Sequence, residues 1–246
     1  MTGASSFGFL AQAPVIPDFG TGSRCETENQ AFCAGWVADH WSDTLQPALL
    51  QHIKLAVIAV VVGFAIALVL ALLAYRYRPL DTPIGLWTDF LYTVPSLALF
   101  QLLVPLTGLT VATVEVALIA YTLLILYRNI SEGLRGVPPE VLEYARGMGL
   151  TRGETFRRVE LPLAVPSIVA GLRIATVSTI SIATVAAFVI PQGLGRPIFI
   201  ALDQDVFKTE ILAAGALAVG LALVADGLLV LAGRALTPWT RLERHS

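Results

Sequence analysis

Charge is scarce in this sequence. Only 14% of the 246 residues are charged, whereas soluble domains average about 25%, and 56% are hydrophobic. The formal net charge is -2, so no basic excess is available for binding nucleic acid. These proportions exclude an ordinary soluble globule and a disordered chain, and the apolar surplus indicates a protein of the bilayer.

Motifs for catalysis and cofactor binding are also missing. The only lysines, Lys54 and Lys208, lie outside any Gly-x-x-x-x-Gly-Lys-Ser/Thr phosphate loop, so the chain has no such site for ATP. It has no Gly-x-Ser-x-Gly motif and no metal-ligand spacing. His40 and His52 fall at a predicted membrane boundary and His245 in the tail, which argues against an intramembrane enzyme. We therefore expect no metal and no cofactor on this chain.

Long hydrophobic runs are what the sequence does have. A helix needs about 20 apolar residues to cross a membrane, and no run here contains more than one charged residue. The runs are 55–75, 90–127, 161–195 and 211–233. Because Leu106-Thr107-Gly108 divides the second run, we predict an all-α membrane protein with about five transmembrane helices.

The distribution of lysine and arginine predicts the orientation. With the N-terminus outside, eleven of these residues fall on the cytoplasmic side and four outside, which agrees with the usual enrichment of positive charge in cytoplasmic loops. The predicted regions are an extracytoplasmic segment 1–46, a transmembrane domain 47–235 and a cytoplasmic tail 236–246. Cys25 and Cys33 lie in the outer segment, where they are either disulfide-bonded or two free thiols.

The segment 136–162 carries strong helix signals. Pro138-Pro139 is typical of a helix start, Gly149 of a left-handed helix cap, and Thr151-Arg152-Gly153-Glu154 of a capping box. A second helix starting there should stop by Pro162. We predict two short amphipathic helices on the cytoplasmic side, which either anchor the bundle to anionic headgroups or dock a soluble partner.

Polar and helix-breaking residues inside the spans are candidates for a transport pathway. Pro95 and Ser96 mark either a packing kink or the flexible wall of a pathway. Thr176 and Thr179 are two of the hydroxyl residues spread around the fourth span, where close helix packing is the favoured interpretation and pathway lining the alternative. The charged residues within spans either have a functional role or lie where water reaches them; they are Glu115, Arg173 and Asp226.

The cytoplasmic segment resembles a motif in permease subunits of ATP-binding-cassette (ABC) importers. The matching residues are Glu143-Tyr144-Ala145, Gly149, Val159 and Leu161-Pro162, with Tyr144 and Val159 departing from the usual Ala and Ile. Further segments are similar to the osmoprotectant branch, whose permeases serve glycine betaine, carnitine, choline or proline betaine. These segments are 93–99, 127–129, 133–137 and 145–149.

The resemblance implies a multi-pass permease of the cell membrane that moves osmoprotectants by alternating access. Segment 136–162 would then be a coupling element that docks into the ATPase, with Ala145, Met148 and Leu150 filling its groove. The implied docking residues are Glu143, Ala145, Arg146, Met148, Gly149, Leu150, Val159, Leu161 and Pro162.

The resemblance also implies partners. They are two ATP-binding subunits that carry ATP and Mg, a second permease subunit (identical or paralogous) and an extracytoplasmic substrate-binding protein. The alternatives are a permease for amino acids or another small solute, and an ATP-independent channel or carrier.

Overall fold

The computed structural model describes residues 24–203 and 206–239, and all regular structure in these two ranges is helical. The predicted all-α class is confirmed. The α-helices in chain order are α1 (Arg24–Thr27), α2 (Ala34–Asp39), α3 (Gln46–Arg76), α4 (Asp81–Thr93), α5 (Ser96–Thr107), α6 (Val111–Arg135), α7 (Pro139–Gly147), α8 (Arg152–Thr155), α9 (Leu161–Ala186), α10 (Gly195–Asp203) and α11 (Lys208–Leu236). The predicted terminal segments 1–46 and 236–246 are described only from residue 24 and up to residue 239.

In the described part of the chain, four helical stretches are long and apolar enough to cross a membrane. They are Trp41–Arg76, Val111–Arg135, Arg152–Ala186 and Lys208–Leu236. The helices α4 and α5 reach the same length and composition only as a pair, which is bent by 99° and forms either a broken span or a re-entrant loop. Counting this pair as one span brings the total to five, in agreement with the sequence.

The break between α4 and α5 is larger than the kink expected at Pro95. Helix α4 ends at Thr93, and Val94 adopts an extended backbone with ψ of 126°, as residues before proline prefer. The Tyr121 hydroxyl on α6 donates to the Val94 carbonyl. This bond satisfies a carbonyl that the broken helix leaves open, which is the condition for irregular backbone at membrane depth.

The fourth span ends earlier than its hydrophobic run predicts. Its hydrophobic run continues to residue 195, but α9 ends at Ala186 and the chain turns back into α10. Ile190 and Leu194 in this turn are buried. Hydrophobicity extends beyond the helix because the turn itself is buried, and composition alone does not separate a buried turn from a helix.

The core of the bundle is formed by α3, α6 and α9. Small residues let these helices approach closely, as is common in membranes. Gly63 of α3 faces the side chain of Thr122 on α6, and Gly171 of α9 faces Asn129 on α6. A Cβ atom at Gly171 would lie 2.5 Å from the Asn129 Cβ, so α6 and α9 cannot keep this spacing with a larger residue there.

Helix α11 packs mainly against α9. Gly233 faces Val169, and the Arg173 guanidinium on α9 donates to both carboxylate oxygens of Asp226 on α11, at 2.7 and 3.0 Å. The charged residues inside these two hydrophobic runs, Arg173 and Asp226, are therefore ion-paired, which lowers the cost of holding them at membrane depth.

The N-terminal segment is attached to the start of α11. Cys25 and Cys33 are joined by a disulfide. Within the loop that they close, the Asn29 side chain donates to the Val206 carbonyl at 3.1 Å and accepts from the Lys208 amide at 3.0 Å. We call this end of the bundle, with residues 24–46 and the start of α11, the head end. The opposite end carries the end of α3 and segment 136–162, and we call it the coupling end.

Candidate functional site

Helix α7 ends in a Schellman motif. The Leu150 amide donates to the Ala145 carbonyl at 3.2 Å, and the Gly149 amide donates to the Arg146 carbonyl at 2.9 Å. Gly149 has φ of 81°, in the left-handed region that glycine favours. The predicted cap is confirmed, and it reverses the chain within a few residues.

The capping box at the next helix is also confirmed. The Glu154 amide donates to the Thr151 hydroxyl at 3.4 Å, and the Thr151 amide donates to the Glu154 carboxylate at 3.0 Å. These two bonds satisfy backbone donors that the first turn of a helix leaves open. Two adjacent motifs thus fix the turn between α7 and α8 by local hydrogen bonding alone.

The prediction that the second helix stops by Pro162 is wrong. A π-helical turn, Phe156–Glu160, follows α8 and leads directly into α9, so residues 152–186 form one continuous helical stretch. Pro162 lies in the first turn of α9. A proline lacks an amide donor and its ring needs room in the preceding turn, and the wider π-helical turn provides that room without ending the helix.

The coupling element exposes a small apolar tip. Tyr144 is 73% exposed and Met148 72% exposed. Three further predicted docking residues, Glu143, Arg146 and Gly149, are also exposed, whereas Leu150, Val159, Leu161 and Pro162 are half-buried.

Two of the predicted docking residues face the chain itself. Ala145 is only 1% exposed, because its methyl group packs inside this chain and not on the surface. In this structure it therefore cannot fill a partner's groove, which corrects the expectation. The half-buried Leu161 packs against the core formed by α3, α6 and α9.

A side-chain contact joins the coupling element to α3. The Tyr75 hydroxyl donates to the Glu160 carboxylate at 2.6 Å, and Glu160 is 7% exposed. The Tyr75 ring also lies 6.1 Å from the Phe156 ring, centroid to centroid. Sequence analysis missed this contact, since 85 positions separate Tyr75 from Glu160 and no short motif marks the pair.

The candidate pathway residues lie on different helices. Pro95 and Ser96 form the break between α4 and α5, whereas Thr176 and Thr179 lie on α9. The Thr176 hydroxyl donates to the Leu172 carbonyl and the Thr179 hydroxyl to the Ala175 carbonyl, each at 2.7 Å. Hydroxyls bonded to their own helix are compatible with close packing.

Two other observations concern ligand sites. Both carboxylate oxygens of Glu115 on α6 are buried, without a hydrogen-bond partner in the described part of the chain. Within residues 24–203 and 206–239, no group of three or more His, Cys, Asp or Glu side chains is arranged to hold a metal ion.

Comparison with known proteins identifies the family. Residues 59–238 match the model of the "Binding-protein-dependent transport system inner membrane component". The chain belongs to this family. It is therefore the membrane permease of an ABC importer, a transport component of the inner membrane that works with ATPase and substrate-binding partners.

Curated relatives of this permease cover most of its length. It is 40% identical over 190 residues to the choline transport system permease protein OpuBB of Bacillus subtilis, covering 76% of this chain and 86% of the relative. It is 36% identical over 194 residues to the osmoprotectant import permease protein OsmW of Salmonella typhimurium, covering 76% and 89%.

Solved structures share the fold. The permease covers 94% of a chain from an inward-facing structure of the MetNI methionine ABC transporter, with 76% of its own length aligned, a TM-score of 0.66 and 20% identity. An amino acid ABC transporter aligns with the same TM-score and 19% identity, covering 76% of this chain and 92% of that one. At these identities the likeness concerns the fold alone.

Proposed function

We propose that this permease imports quaternary amines such as choline, glycine betaine and carnitine. The observation that carries the cargo assignment is its 40% identity to a choline transport permease, accompanied by 36% identity to a glycine betaine/carnitine/choline transport permease of Bacillus subtilis. The remaining partners in this proposal are two ATP-binding subunits, a second permease subunit and an extracytoplasmic binding protein.

The coupling element is the proposed docking site for the ATP-binding subunit. Tyr144 and Met148 are large and exposed, and they stand on a turn that the Schellman motif and capping box hold rigid. Exposed apolar side chains beside charged ones are typical of a protein interface. In this proposal the coupling end faces the cytoplasm and the membrane-spanning domain is 47–235. Segment 1–46 is extracytoplasmic and segment 236–246 is a cytoplasmic tail.

The helical connection at residue 156 supports a route for conformational change. Because α8, the π-helical turn and α9 are continuous, movement of the coupling element would tilt α9 directly. The Tyr75–Glu160 hydrogen bond would carry the same movement to α3. Both helices belong to the core of the bundle, so closure of the ATPase subunits would reorient the pathway by small helix shifts. The broken pair α4 and α5, with Pro95 and Ser96, is the proposed mobile wall, and Thr176 and Thr179 support the packing of α9.

Docking is tested by purifying the tagged permease from native membranes with and without Met148→Asp. The matched control is Phe32→Asp, which places the same charge on an apolar residue that is 57% exposed at the head end. We expect Met148→Asp to reduce recovery of an ATP-binding subunit at least tenfold, at equal membrane levels, because a carboxylate in an apolar contact loses its hydration. Equal losses in both variants, or none in either, would contradict the docking proposal.

The cargo is tested by uptake into whole cells that hold the complete complex. We expect labelled choline or glycine betaine to enter only when ATP is available, and methionine and histidine to be excluded. Uptake of an amino acid in place of the amines would support the small-solute alternative. Uptake in ATP-depleted preparations would support the channel or carrier alternative.

A further inference from the structure

A large cavity lies at the coupling end. Its volume is about 1390 Å³, and its walls are the end of α3, the start of α4, the end of α6 and the helices α7 and α8. One wall therefore belongs to the membrane-spanning bundle and the other to the coupling element.

The cavity holds an excess of positive charge. Its lining includes five arginines and two acids, Asp81 and Glu160; the arginines are Arg76, Arg78, Arg135, Arg146 and Arg152. Asp81 is ion-paired with Arg135, and Glu160 accepts from the uncharged Tyr75 hydroxyl. Five arginines against two acids leave a formal excess of three positive charges in the lining.

Within residues 24–203 and 206–239, four of these arginines form no ion pair. The ion pairs that the described residues form are Arg128–Asp89, Arg135–Asp81, Arg158–Glu154 and Arg173–Asp226. None of them includes Arg76, Arg78, Arg146 or Arg152. All four are exposed. Like charges close together repel one another, so an anion from outside the chain can reach these arginines and would stabilise the arrangement.

Arginines line the cavity from both walls. Arg78 follows α3 and Arg146 lies on α7, and both are among the lining residues. A ligand placed between them would touch the bundle and the coupling element together. Docking of the coupling element on a partner would not by itself neutralise Arg76 or Arg78, since Arg76 ends α3 and Arg78 follows it, outside the coupling element.

We propose that this cavity binds a phosphate group, supplied by the headgroup of an anionic phospholipid. Guanidinium groups bind phosphate oxygens through paired, charge-assisted hydrogen bonds. Basic pockets between membrane helices at the headgroup level bind lipids of this kind, and the cavity lies at the ends of α3 and α6. Inorganic phosphate offers the same chemistry from water. The proposal does not depend on the cargo of the permease.

The test is native mass spectrometry of the full-length permease, titrated with phosphatidylglycerol and, separately, with phosphatidylcholine. We expect phosphatidylglycerol to bind at least tenfold more tightly. Arg78→Gln combined with Arg146→Gln should weaken phosphatidylglycerol binding about 25-fold, roughly fivefold for each charge removed. The matched control, Arg157→Gln with Arg158→Gln, removes two charges from the same coupling element outside the cavity, and its affinity should change less than twofold.

Three outcomes would overturn the proposal. The first is that the wild-type permease binds the two lipids with equal affinity. This outcome needs no variant, so it can be measured even if the double variant fails to fold. An equal loss in the control variant is the second. The third comes from a titration with inorganic phosphate. If phosphate binds but the permease does not prefer phosphatidylglycerol over phosphatidylcholine, the site binds the free anion and not a lipid. Displacement of bound phosphatidylglycerol by phosphate would support the proposal.

Discussion

At the coupling end, the hydrogen bonds of the turn after α7 join residues at most five positions apart, as from Leu150 to Ala145. At the head end, Asn29 bonds to residues 177 and 179 positions away. The first turn therefore needs only its own sequence, whereas the head end needs two distant segments to be folded and in contact. A disturbance should stay local at the coupling end and spread between segments at the head end.

Loss of the head-end disulfide should have the largest effect. Cys25→Ser with Cys33→Ser removes the constraint on a short loop, which we expect to destabilise the head end by about 2–3 kcal/mol. Hydrogen exchange measured by mass spectrometry should then rise by roughly 30-fold or more, since about 1.4 kcal/mol is tenfold. The faster exchange should include Lys208, whose amide donates to Asn29, as well as Cys33.

The unmutated permease provides the control for this prediction. Reduction with a thiol reagent should reproduce the variant, and exchange across residues 145–155 should not change in either case. Fast exchange confined to residues 25–33, with Lys208 still protected, would mean that the two segments are not one cooperative unit.

Asn29→Ala should have the next largest effect. It removes the bonds to the Val206 carbonyl and the Lys208 amide, at about 1 kcal/mol each. Asn29 also has φ of 48°, a conformation that asparagine tolerates better than alanine. We expect exchange at Lys208 to rise by roughly 30-fold, again without change at the coupling end.

Asn29→Asp is the matched variant, because a carboxylate still accepts from the Lys208 amide but cannot donate to Val206. Its effect should be about half as large in free energy. If the aspartate and alanine variants behave alike, the acceptor role of the Asn29 side chain is not what holds α11.

These two ends also differ in how far they could be predicted. The cap at Gly149 and the capping box from Thr151 to Glu154 were found from the sequence, because each depends on residues a few positions apart. The attachment of Asn29 to α11 and the Arg173–Asp226 ion pair were not. Both depend on which helices become neighbours, and hydropathy carries no information about that.

Proline positions show a second limit. The sequence predicted a kink at Pro95 and a helix end at Pro162, but the chain bends by 99° at the first and continues as a helix through the second. The outcome depends on the surroundings: the Tyr121 hydroxyl donates to the Val94 carbonyl, and a π-helical turn makes room for Pro162. The apolar tip was likewise only partly predicted, since burial of Ala145 leaves Tyr144 and Met148 exposed.

Gly149→Val tests whether the coupling end is held locally. A Cβ at this position meets no atom within 4 Å, so the cost comes only from φ of 81°. We expect the substitution to destabilise the turn by about 1–2 kcal/mol. Hydrogen exchange at the Leu150 amide, which closes the cap, should become roughly tenfold faster. Gly147→Val is the control, because that glycine is equally open but has no positive φ. Faster exchange at Lys208 would show that the two ends are coupled, contrary to the comparison.

Thr151→Ala should have the smallest effect of the four. It removes the hydroxyl, which accepts from the Glu154 amide and donates to the Glu154 carboxylate. Loss of such a cap typically costs about 1 kcal/mol, and exchange at Glu154 should rise about fivefold. Half of the box survives, because the Thr151 amide still donates to the Glu154 carboxylate. Thr151→Ser keeps the hydroxyl and should leave exchange unchanged. The turn keeps its other short-range bonds when the Thr151 side chain is removed, whereas Asn29 alone provides two of the bonds that hold its loop to Val206 and Lys208.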